Sequence, residues 1–110
     1  MKLAGLPSLL LLVALSAQAG ATYTPEQLQL MIPLGRYPAE GPVSKREVFS
    51  MSWSECLTRS DNLAASAKSP ALRLVDAPGL RSTKIWAGDG SLTISCRIRE
   101  GMELSRSPYR

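Results

Sequence analysis

Residues 82–99 read STKIWAGDGSLTISCRIR, and the alternation in this stretch decides the architecture of the chain. Leu92, Ile94, Cys96 and Ile98 alternate with Thr93, Ser95, Arg97 and Arg99, the two-residue period of a strand with one buried and one wet face. Gly88-Asp89-Gly90-Ser91 supplies a turn, with Asp89 and Gly90 suited to its central positions, so a β-hairpin is expected over 82–99. In that register Ala87 faces Leu92, Ile85 faces Ile94 and Thr83 faces Cys96, all inward. Trp86 then faces Thr93 on the outer side, beside Lys84 and Ser95. A four-residue loop preserves this parity. A three-residue loop turns Trp86 inward together with Lys84, and burying a lysine is the costlier outcome.

The flanks extend the same pattern. A turn at Glu100 and Gly101 can add a last strand through Met102 and Leu104, ending in S-R-S-P-Y-R. Upstream, A-L-R-L-V-D reads as a short strand with Leu72 and Leu74 on one face, followed by a turn at A-P-G. Further back, Phe49, Met51 and Trp53 alternate with Val48, Ser50 and Ser52, which predicts a strand of about seven residues in a body that begins near Val43. Ser52 followed by Glu55 has capping-box spacing and Ser54 is an equally good N-cap, so a helix is expected from about Glu55 to Lys68. Its buried stripe is Cys56, Leu57, Ser60, Leu63, Ala64 and Ala67, and Ser69 and Pro70 stop it. The order of strand, helix, strand and hairpin gives an α+β two-layer sandwich: one main helix on a mostly antiparallel sheet of about four or five strands.

Cys56 falls on the helix stripe and Cys96 on the buried face of the hairpin. They are the only cysteines, and one disulfide between the two layers is the expected use. Closing a loop of about 40 residues contributes roughly 4 kcal/mol in the loop-entropy model. A reactive thiol on Cys56, in the first turn of a helix, is the alternative; the chain lacks both C-x-x-C and histidine to support it.

The chain opens with Met1-Lys2, a leucine-rich run, and Ala17-Gln18-Ala19-Gly20-Ala21, the layout of a secretory signal peptide over 1–19. Cleavage before Gly20 is the expected outcome and cleavage before Thr22 the alternative; an uncleaved anchor is disfavoured because the strongly apolar run is short for a span. The one-charge leader points to a bacterial protein of the periplasm or exterior. Residues 20–42 form an N-terminal short helix and extended arm. Thr24 as N-cap and Pro25 at the first helical position start the helix, and Pro33 is expected to end it. Residues 43–110 form the α+β domain. The chain carries a net charge of +4 over 110 residues. A body this small is marginal without a staple.

Composition also constrains chemistry. A Ser-His-Asp triad is impossible in a chain without histidine, and none of Lys45, Lys68 and Lys84 has a serine three residues before it. Two distant cysteines and no histidine give no zinc pattern, Glu100 and Glu103 lack calcium-loop spacing, and no glycine-rich phosphate loop is present. No cofactor, no metal and no enzymatic activity are expected. Glu47 and Glu55 leave a small carboxylate-dependent cell-wall hydrolase as the alternative, with a membrane-anchored structural envelope protein as a third reading. The candidate binding surface is the outward Trp86 with Lys84, Arg97 and Arg99, since tryptophan and arginine are favoured interface anchors. A bulge, or cover from the N-terminal arm, would instead make Trp86 ordinary packing. The partner implied is a protein or an anionic envelope component. Nucleic acid is disfavoured because no aromatic stacking motif accompanies the basic residues, and no membrane contact is expected after leader cleavage.

Overall fold

A computed structural model describes residues 20–110. The expected signal segment 1–19 lies outside the described residues. The body comprises β1 (Lys45–Phe49), the main helix α2 (Trp53–Ser66), β2 (Ala71–Ala77), β3 (Leu80–Trp86), β4 (Gly90–Arg97) and β5 (Gly101–Pro108), preceded by the short helix α1 (Pro25–Met31). The strands form one antiparallel sheet in the order β1-β5-β4-β3-β2. The architecture is the α+β sandwich that the pattern predicts, and Cys56 on α2 is bonded to Cys96 on β4 across its two layers.

The β3–β4 hairpin forms in a different register. Ile85 pairs with Leu92, Thr83 with Ile94 and Trp86 with Ser91. The turn therefore centres on Gly88 and Asp89, with the Ala87 N–H donating to the Gly90 carbonyl at 2.9 Å. Gly90 is drawn into the ladder because β5 passes too close for a side chain: a Cβ there would lie 2.5 Å from the Ser107 carbonyl oxygen. The shift of two residues leaves parity intact, so the faces are those expected. Cys56, Ile85, Ile94, Cys96 and Met102 make the core between α2 and the sheet.

β1 is shorter than the alternation suggests. Helix α2 starts at Trp53, with the Ser52 hydroxyl accepting from the Glu55 N–H at 3.1 Å, so Met51 and Trp53 leave the strand. On α2, Cys56 and Ser60 are buried and Leu57, Ala64 and Ala67 pack on the core, whereas Leu63 is 38% exposed. Ile98, expected on the buried face, is 51% exposed, because β4 ends at Arg97 and the chain turns. A bulge between Arg73 and Val75 breaks the alternation expected of Leu72 and Leu74 in β2.

The arm is built as its sequence dictates at the start. Thr24 and Gln27 cap α1 reciprocally, at 3.1 and 2.7 Å. At the end it differs: the chain tightens into a 3-10 turn over Ile32–Leu34, through Pro33, and stops at Gly35 with φ +75°. Pro33 is tolerated because the first turn of a new 3-10 segment needs no N–H from it. The arm then runs back along β5, where the Gly41 N–H donates to the Pro108 carbonyl and the Ser44 N–H to that of Arg106, each at 2.8 Å.

Candidate functional site

Trp86 stands on the sheet face opposite α2, but it is 2% exposed. The exposed surface expected at Trp86 is therefore absent, and the other reading of the sequence, cover from the N-terminal arm, is the one that holds. Leu28 and Ile32 of the arm bury themselves against Trp86 and Tyr109, and Tyr37 stacks on the indole with ring centroids 5.3 Å apart. Tyr23 closes the cluster edge-on to Tyr109 at 5.1 Å. The Tyr109 hydroxyl donates to the Ala87 carbonyl at 2.6 Å. Burial, with the nearby carboxylates of Glu40 and Asp89, pushes the ionisation of this phenol upward.

Lys84 is held in the same place. Its ammonium pairs with Glu40 of the arm at 2.5 Å and sits 5.5 Å from the Trp86 ring centroid, while Ser91 donates to the other Glu40 oxygen at 2.9 Å. Arg97 and Arg99 lie at the other end of the hairpin. Arg97 pairs with Glu103 at 3.0 Å, a carboxylate that also takes Arg46 at 2.8 Å. Arg99 occupies the β4–β5 turn with φ +72°. The four residues singled out in the sequence thus form two separate groups, one under the arm and one at the far turn. Of the two carboxylates considered for hydrolysis, Glu47 pairs with Lys45 at 3.7 Å and Glu55 with Arg59 at 2.8 Å.

A different surface is open. Helix α2 packs on β3, β4 and β5 and leaves β1 uncovered; every residue of β1 is exposed. Between the helix and this edge strand runs a groove of about 470 Å³. Its floor is Phe49, Met51, Met102 and Leu104, and its helix wall presents Arg59, Asn62, Leu63 and Ser66. Phe49 is 41% exposed, a large apolar side chain on the helix-layer face that opens into the groove. Ladder register places Leu104 opposite Glu47 and Arg106 opposite Lys45, so the apolar floor runs along the sheet into a basic end. Met51, unbranched and partly exposed, suits a surface that adapts to what lies on it, above the buried Met102.

Sequence reasoning found Phe49 and Met51 as the apolar face of a strand, without separating a buried face from an open one. The signal that separates the two cases is length. A helix of 14 residues, half of whose stripe is alanine and serine, packs chiefly on three strands, and the sheet has five. Comparison with protein-family models, with curated proteins and with solved structures found no match.

Proposed function

We propose that the chain is an exported, disulfide-stabilised, non-enzymatic domain of the bacterial envelope or exterior that binds a protein partner through the groove between α2 and β1. The single observation that carries the reading is this open apolar groove, on the sheet face opposite to the one that the arm covers. Contiguous exposed apolar surface rimmed by polar groups marks interaction sites on small domains. The leader-like N-terminus and the Cys56–Cys96 bond support the oxidising compartment. The lack of histidine supports binding rather than turnover. Among the described residues no helix is long and apolar enough to cross a membrane.

The test is site-specific photo-crosslinking in the producing cell, with the photoreactive group at Leu63 in one variant and at Glu100 in the other. A discrete protein adduct from position 63 alone, on a chain whose intact mass begins at Gly20, is the result expected. Equal labelling from both positions, or an uncleaved cytoplasmic chain, overturns the proposal.

A further inference from the structure

We infer that the occupant of this groove is an extended segment of a partner protein that adds to β1 as a sixth strand. The inference rests on the proposed function above and specifies how the same site is used. β1 ends the sheet, so one row of its backbone N–H and C=O groups has no strand beside it. An edge strand with an apolar floor beside it offers what strand addition uses. Main-chain hydrogen bonds supply affinity and alternate side chains drop into the groove.

The two edges of the sheet are not equivalent. β2 is bulged between Arg73 and Val75, and a bulge twists an edge away from regular pairing. β1 is unbulged; Arg46 is held by Glu103 at 2.8 Å, whereas Lys45 and Glu47 touch only at 3.7 Å and stay largely open to solvent. Its end is left apolar by Val48, 67% exposed, and Phe49.

Register specifies the partner's chemistry. A strand laid along β1 directs every second residue to the face of Phe49, Glu47 and Lys45. Beside Phe49 and Leu63 that residue is apolar. Farther along it meets Lys45 and Arg106, and Arg106 makes no ion pair among the described residues. A carboxylate fits there. On this face the partner segment therefore carries an apolar side chain at the Phe49 end, an uncharged or basic one beside Glu47, and an acidic one at the far end, beside Lys45 and Arg106. A second copy of this chain fits poorly. Pairing β1 with itself about a two-fold axis through Arg46 or Glu47 sets like charges directly opposite, and an axis through Val48 keeps only the residues from Glu47 to Phe49 in the ladder.

The experiment selects peptides from a phage-displayed random library on the full exported domain, then synthesises the best binder with single backbone N-methyl groups at successive positions. Strand addition predicts an acidic and apolar consensus, loss of affinity of roughly tenfold or more at alternate positions only, and slowed amide exchange confined to β1. Binding that is lost in Leu63→Arg but indifferent to N-methylation overturns strand addition and leaves the groove standing. Binding indifferent to Leu63→Arg, or no selected binder at all, overturns both. Self-association of the unmodified domain that disappears in Leu63→Arg assigns the groove to a second copy and overturns the inference as well. Leu63 is partly exposed, and an unchanged melting curve of Leu63→Arg verifies that the fold is intact.

Discussion

Tyr37 stacks on Trp86 with their planes only 12° apart, so the arm supplies the surface against which the hairpin's tryptophan is packed. Trp86 is held by packing, by the Tyr37 stack and by the Lys84 ammonium over its ring, and its indole N–H has no hydrogen-bond partner among the described residues. Trp86→Ala should therefore cost about 3–5 kcal/mol, as for a large aromatic removed from a core. Trp86→Phe should cost much less, because no polar contact is lost. Chemical denaturation with far-ultraviolet detection measures both, and equal losses in the two variants would contradict the packing.

How far the sequence carried the fold follows from where its signals are local. The strict alternation of Leu92, Ile94 and Cys96 specifies which face is buried, and the Ser52 cap specifies where α2 begins. The turn register was set by a long-range contact instead. Asp89 and Gly90 are good central turn residues, but Ser107 passes over Gly90 and pulls it into the ladder, a fact no window around the turn contains. Which of the two readings of Trp86 holds was decided in the same way. Its parity was legible, whereas its cover comes from Leu28, Ile32 and Tyr37, some 50 to 60 positions earlier in the chain. The groove is the converse case. Phe49 and Met51 read in sequence as the apolar face of a strand, and only the width of the sheet against one helix leaves them open.

Gly101 tests the entry into β5. Its φ is +110°, and a Cβ there would lie 2.2 Å from the Phe49 carbonyl oxygen and 2.9 Å from the Met51 nitrogen, both backbone atoms that cannot swing aside. Gly101→Ala should destabilise by about 2 kcal/mol or more, through backbone strain and steric displacement together. It should also loosen β1, which the β5 entry holds. Gly35→Ala is the control: its φ is positive too, but nothing lies within 4 Å, so the cost should stay near 1 kcal/mol. Thermal melts of the two variants check the order.

The disulfide ties α2 to β4 across 40 positions. Replacing both cysteines by alanine should lower stability by about 4 kcal/mol, a large part of what a body this size possesses. The same substitution in the presence of reductant should change nothing further, whereas the unmodified chain should lose a similar amount when reduced. Urea titrations of both proteins with and without reductant make the comparison, and a reduced wild type as stable as the oxidised one would count against the staple.

Tyr109 links the arm to pH. Burial is the main cause of its raised ionisation, with the charges of Glu40 and Asp89 adding to it. The unfolded chain releases this phenolic proton near the ordinary value of about 10. Above that pH the unfolded state binds fewer protons than the native state, so stability present at neutral pH falls as the pH rises beyond it. Tyr109→Phe removes the group that titrates. It also removes the 2.6 Å hydrogen bond to the Ala87 carbonyl, at a cost of about 1 kcal/mol at neutral pH. Denaturant midpoints should therefore fall more steeply between neutral and strongly alkaline pH in the wild type than in Tyr109→Phe, so that the two curves converge. Parallel curves would show that Tyr109 titrates normally and that the arm does not seal it.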